Sequence, residues 1–166
     1  MELIMMCGIP CAGKSTYIRR GVENSDMLDE YVILSTDDYI EEYARANNKT
    51  YNEVFDDVIG EATNKMHKDL DLAIQRGKSI IWDQTNLTKK SRKKKLSKIP
   101  GEYTKTAVVL PLELEEAFVR NSRRANKFIP RSVIHRMYHL FEVPTEDEGF
   151  DVIMTHDGSH LKMQVA

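Results

Sequence analysis

Residues 8–15, GIPCAGKS, interrupt the apolar run Leu3–Cys7 (LIMMC) and lead into a stretch of helical character, Lys14–Arg20. The spacing satisfies GxxxxGK[ST], the pattern of a loop that wraps a polyphosphate. Such a loop needs a strand before it and a helix after it, so these eight residues decide the fold as well as the ligand class. Main-chain N–H groups have to converge on the anion, which calls for Gly8 and Gly13 where a side chain would collide or φ must be positive. Ile9, Pro10, Cys11 and Ala12 complete the cradle, and Thr16 follows it at the helix start. Lys14 brings a charge toward the β- and γ-phosphates, and Ser15 offers a hydroxyl to Mg²⁺. The helix beginning there turns its positive end to the same anion. ATP, with other nucleoside triphosphates as alternatives, is the expected ligand.

Working outward, further short apolar or β-branched runs occur at Val32–Ser35, Ser79–Trp82, Thr106–Leu110 and Phe150–Met154. Between them lie helical patterns at Asp38–Ala46, Tyr51–Arg76, Lys89–Lys98, Glu113–Asn126 and Arg131–Phe141. Alternating strands and helices imply an α/β fold with a parallel sheet of about five strands flanked by helices. Val54, Val58, Ala62, Met66, Leu70 and Ile74 recur at four-residue steps and form a core stripe. Asp38 followed by Glu41 fits a helix cap. At 166 residues, the chain is expected to form one domain, 1–166. No apolar stretch reaches the roughly 20 residues that span a bilayer, and MELIMMC lacks the basic flank of a signal peptide, so a cytoplasmic location is expected.

The net charge of −2 argues against a nucleic-acid partner, but the distribution argues for one. Residues 76–136 hold 16 Lys and Arg against 5 Asp and Glu, whereas the remainder holds 8 against 21. Segregation of this kind gives one surface a field that attracts polyanions. Six of the basic residues fall between Lys89 and Lys95, where the readings are a solvated helix face or a track for a phosphate backbone.

Three further places carry chemistry. Asp83 ends the strand SIIWD and suits a metal-binding carboxylate beside Ser15, because ligands collect at the carboxyl edge of a parallel sheet. Asp37, in ILSTDDY, lies at that same edge; with Asp38 assigned to the cap, Asp37 is the candidate general base for a hydroxyl acceptor. Arg120, Arg123, Arg124 and Lys127 crowd the segment AFVRNSRRANKFIP. Arg120 and Arg124 share a helix face, as a basic lid over residues 120–131 closing on the γ-phosphate would require.

In order along the chain, GIPCAGKSTYIRR, STDDY, WDQTNLT with its basic continuation, and RNSRRANKFIP before a helix with RMY resemble the 5′-kinase domain of the bacteriophage polynucleotide kinase/phosphatase family. The resemblance implies a P-loop kinase that moves the ATP γ-phosphate to the 5′-hydroxyl of single-stranded DNA or RNA ends. It implies the phosphate and magnesium roles for Lys14 and Ser15, Asp37 as base and Arg124 in the lid; Arg120 is expected beside Arg124 at the nucleotide, and Thr85 and Asn86 at the acceptor. The expected geometry is a triphosphate at one strand tip facing an oxygen polarised by Asp37 on the neighbouring tip.

Two positions depart from that pattern. Ile40 stands where the viral kinases have arginine, and Gln84 where they have an acid, so the acceptor phosphate is expected to be held differently, by Arg45 or the Lys89–Lys95 helix. THDGSH, residues 155–160, lacks the paired aspartates of the family's phosphatase half, so a stand-alone kinase is expected. The competing functions are a non-catalytic P-loop RNA-binding module and a kinase of a small metabolite, both of which share the loop.

Overall fold

The computed structural model describes residues 1–23, 31–125, 127–156 and 161–165. Five parallel strands, β1 (Glu2–Cys7), β2 (Tyr31–Leu34), β3 (Ser79–Trp82), β4 (Thr104–Val109) and β5 (Val152–His156), form a sheet with a sixth, β6 (Leu161–Val165), in the order β2-β3-β1-β4-β5-β6. β6 runs antiparallel to β5. This strand was not among those expected, although Leu161, Met163 and Val165 alternate with Lys162 and Gln164 in the sequence. Residues 157–160 of the THDGSH segment lie outside the described residues.

The helices are α1 (Lys14–Glu23), α2 (Thr36–Ala46), α3 (Tyr51–Gln75), α4 (Lys89–Leu96), α5 (Leu114–Ser122) and α6 (Arg131–Leu140), with a short 3₁₀ turn at Glu146–Glu148. The central strand β1 is covered on both faces, which is why LIMMC reads as continuous rather than alternating. Leu3, Met5 and Cys7 pack with Trp82 against Met66 and Leu70 of α3 and Leu96 of α4. Met6 packs on the opposite face with Ile18 of α1. The predicted stripe of α3 holds, with Ala73 buried and Ile74 packed at the core's margin.

The helix ends differ from expectation by a residue or two at α3, α4 and α6, and at α2 and α5 the structure gives the reason. α2 begins at Thr36 because Ser35, directly after β2, is the cap and accepts the Asp38 N–H at 3.1 Å. Asp38 is thus a first-turn residue, not the cap. α5 stops at Ser122, short of the expected Asn126, which lies outside the described residues. The buried Asn121 side chain explains the stop: it bonds both backbone groups of Ile129 and draws the chain back on itself. Among the described residues no helix is long and apolar enough to cross a membrane.

The C-terminal segment is fastened to α4 by a buried ion pair. Arg92 of α4 is fully enclosed and forms a two-pronged pair with Glu148 at 2.7 Å, while its third nitrogen donates to the carbonyls of Asn86, Leu87 and Glu142. An enclosed guanidinium left without its carboxylate is expensive, whereas the exposed Lys89–Asp147 pair contributes little. Glu148→Ala is therefore expected to lower stability by about 3–5 kcal/mol, and Asp147→Ala to leave it nearly unchanged, read from urea unfolding midpoints.

Candidate active site

The carboxyl tips of four strands, β2, β3, β1 and β4, are tied together by main-chain bonds. Gly8 N–H donates to the Thr85 carbonyl at 3.0 Å, Asp83 N–H to Leu34 at 2.9 Å, and Leu110 N–H to Cys7 at 2.9 Å. A Cβ on Gly8 would stand 2.8 Å from the Leu110 oxygen, so glycine is required there by contact. Gly13 is required by conformation, with φ +93°. Cys11 also adopts positive φ, +68°, a strain that the glycine pattern did not reveal. Ile9 and Ala12 hold the loop down by burying their side chains, Ile9 against Ala117 and Ile134, and Ala12 beside Met6 and Ile18. Pro10 is buried beside Ile9, and Thr16 is exposed on the first turn of α1.

Lys14 folds back to donate to the carbonyls of Gly8 (3.0 Å) and Ile9 (2.9 Å). Burial pushes its ammonium pKa down, and the charges of Asp83 and Asp37 oppose that shift. Ser15 Oγ donates to Asp83 Oδ2 at 2.9 Å, joining the two residues expected to share a metal. Burial raises the Asp83 carboxyl, against the Ser15 hydrogen bond and Lys14. A hydroxyl and a carboxylate are hard oxygen donors, which fits Mg²⁺ held together with phosphate oxygens.

The expectation that Asp37 sits on the tip adjoining the loop is corrected by the strand order. β3, carrying Asp83, lies between β1 and β2. Asp37 still lies close enough to Lys14 for the two charges to interact. Its side chain is 52% exposed, yet both oxygens have partners: Oδ1 accepts from Tyr51 at 2.7 Å and Oδ2 from Lys127 at 2.5 Å. Burial alone would raise this carboxyl, but the Lys127 ammonium and the Tyr51 hydroxyl outweigh it and hold the pKa below the usual carboxylate range. Neither partner was foreseen. Lys127 was grouped with the lid arginines, and only its place in the same short segment could have drawn attention to it. Glu41, expected in a capping pair with Asp38, instead receives Lys127 at 3.0 Å.

The lid arginines do meet the loop. Arg120 Nη1 donates to the Cys11 carbonyl at 3.3 Å while its Nε pairs with Glu116, and Arg124 Nη1 lies 3.9 Å from Cys11 Sγ. Arg123 is exposed.

Asn86 is not available to an acceptor. It is buried with φ +47°, its amide donates to the carbonyls of Met6, Trp82 and Gln84, and its oxygen accepts from Lys95. Asn86 fastens the β3 loop to β1. Thr85 contributes its carbonyl to Gly8.

The basic helix is likewise only partly a surface. Arg92 is buried, and Lys95 turns inward to Gln84 (2.7 Å) and over Trp82, where burial lowers its pKa to about 8. Gln84 in turn donates to Thr36, the residue before Asp37. Ile40 is wholly buried between α2 and α3. Arg45 is exposed eight residues beyond Asp37, about 12 Å along α2.

A family model described as an AAA domain matches residues 3–144. Among solved structures, the chain is similar to one from the Pnkp1/Rnl/Hen1 RNA repair complex, at 19% identity and TM-score 0.63 over 84% of this chain and 43% of that one. It is also similar to a sugar kinase from Janibacter sp. HTCC2649, at 17% identity and TM-score 0.61 over 93% and 85% of the two chains. Chaetomium thermophilum Kti12, solved with ADP-AlF3, matches at 18% identity and TM-score 0.57 over 95% and 89%. The chain thus spans less than half the length of the RNA-repair chain it matches. At these identities the likeness shows the fold, that of P-loop kinases.

The contact between Gly8 and Leu110 makes the cradle sensitive to one methyl group. Gly8→Ala is expected to cost about 1–3 kcal/mol, measured as a lowered thermal midpoint, whereas Gly21→Ala, where an added Cβ meets nothing within 4 Å among the described residues, is expected to leave it unchanged or raise it.

Proposed function

Because the chain belongs to the AAA-domain family and folds as a P-loop kinase, we propose that it is an ATP-dependent polynucleotide 5′-hydroxyl kinase acting on single-stranded DNA or RNA ends. One observation carries this reading: the loop and its two lid arginines form a donor side, an ionised Asp37 forms an acceptor side, and Asp83 lies at the tip between them.

Each residue has a part in the transfer. Lys14 exchanges the Gly8 and Ile9 carbonyls for phosphate oxygens when a triphosphate enters. Ser15 and Asp83 would hold Mg²⁺, which would neutralise charge on the phosphates. Asp37 accepts the proton of the attacking hydroxyl as the new oxygen–phosphorus bond forms, and the bond from the γ-phosphorus to its bridging oxygen breaks to release ADP. Arg124, with Arg120, stabilises the charge spreading over the transferred group.

The polymer acceptor is supported by the basic surplus of residues 76–136 and by Lys90, Lys93, Lys94 and Lys98, exposed on α4 and the turn after it. The structural likeness to a chain of an RNA repair complex points the same way. Retention of Asp37 speaks against a purely binding role.

The test supplies purified protein with labelled ATP, Mg²⁺ and 5′-hydroxyl DNA and RNA oligonucleotides, alongside sugars and nucleosides. Label is expected on the oligonucleotides. Asp37→Asn is expected to slow transfer by about 10²–10⁴ and Arg124→Ala by about 10²–10³. Labelling of small metabolites alone would remove the polynucleotide assignment, and an Asp37→Asn enzyme as fast as wild type would remove the base.

A further inference from the structure

Residues Lys127, Phe128 and Ile129 form a strap between the lid and the α2–α3 pair, and each is fixed by a side chain from a different element. Lys127 reaches Asp37 and Glu41 of α2. Phe128 exchanges two hydrogen bonds with Asn52 of α3, its carbonyl accepting at 2.6 Å and its N–H donating at 3.0 Å. Ile129 does the same with Asn121 of α5, at 2.8 and 3.1 Å. Building on the kinase reading, we propose that Lys127 is a positioning residue: the strap delivers its ammonium to Asp37 and fixes the carboxylate toward the acceptor, so that the base is set only while the strap is docked.

The asymmetry of the pair supports this role. The Lys127 side chain is 9% exposed and that of Asp37 52%, so the cation lies inside and the carboxylate opens outward. Lys127 sits over the Tyr51 ring at 4.0 Å, and the Tyr51 hydroxyl holds the other oxygen of Asp37. A buried ammonium must be matched by charge, and two carboxylates and a ring face do so here. Lys127 is therefore already spent and is not a further phosphate-binding lid residue. The other charges around Asp37 are Lys14 from the loop, Asp38 and Glu41 from its own helix, and Asp83 from β3; Arg124 of the lid acts on Tyr51. Among the charged groups of the described residues, Lys127 alone forms an ion pair with the Asp37 carboxylate.

The experiment compares the full chain with Lys127→Met, Lys127→Arg and Asn52→Ala. Two quantities are read: the ¹³C NMR titration of the Asp37 carboxyl, assigned with Asp37→Asn, and the pH dependence of kcat and KM for a 5′-hydroxyl oligonucleotide. Lys127 favours the ionised carboxylate, so its loss must move both the titration and the acid limb of kcat/KM to higher pH. Lys127→Met is expected to shift them together by about one pH unit, a tenfold change in proton affinity, and to lower kcat while KM for ATP stays unchanged. Lys127→Arg should restore part of the shift. Asn52→Ala, an exposed change touching neither partner, should reproduce part of it by loosening the strap. A titration unmoved in Lys127→Met and Asn52→Ala overturns the proposal, as does a Lys127→Met enzyme faster than wild type at neutral pH, since Lys127 would then be obstructing Asp37. If the titration shifts but wild type transfers nothing to oligonucleotides, the coupling of Lys127 to Asp37 is upheld and the acceptor assignment falls.

Discussion

Main-chain amides can converge on an anion only where no side chain intrudes, and the tip of β1 is arranged around that exclusion. Gly8 lies against the Leu110 carbonyl with no space for a methyl group, while Ile9 and Ala12 turn their side chains into the protein on either side of the turn. The loop is thereby pressed between the ends of β3 and β4, and the hydrogen bonds from Gly8 to Thr85 and from Leu110 to Cys7 keep the three ends level. Ile9 also forms the floor on which α5 and α6 pack, together with Ala117 and Ile134. The arginines of the lid consequently take their position from the loop they approach, and tightness of the loop and placement of the lid are one property.

Legibility in the sequence follows the range of the interaction concerned. The loop, the strands beside it and the stripe of α3 were readable because each is set by neighbours within a few residues: a glycine spacing, a continuous apolar run, a four-residue period. The pairing of Ser15 with Asp83 was readable too, because both stand at positions the fold type dictates. What escaped was set across the chain. Nothing local to Asp37 announces that Lys127, ninety residues away, and Tyr51 will occupy its oxygens. Asn86 looks like an exposed loop residue, but its positive φ and three carbonyl partners make it the fastening of that loop. The α2 cap is the local exception: Asp38 and Glu41 have the spacing of a capping pair, yet Ser35 holds the cap.

Basic residues illustrate the same limit with more consequence. A surplus counted along the sequence treats every Lys and Arg as surface, yet Arg92, Lys95 and Lys127 all point inward. Each does a different task there: Arg92 joins the C-terminal segment to α4, Lys95 bridges the side chains of Gln84 and Asn86, and Lys127 meets the acceptor-side carboxylates. Buried cations are tolerated only with partners, so each one reports a designed contact more reliably than an exposed run of lysines does. The lysines left outside on α4 belong to a field that salt will screen.

The antiparallel β6 has an effect on how copies of this chain meet one another. An open parallel sheet ends in a row of unpaired amides and carbonyls, a template on which a second molecule can add its own strand. β6 occupies that row along the whole of β5, from Val152 to His156. The opposite margin is β2, only four residues long, and short margins are poor templates. β6, five residues long, is itself the margin at its own end, so self-association by strand addition is discouraged at both ends of the sheet by brevity alone.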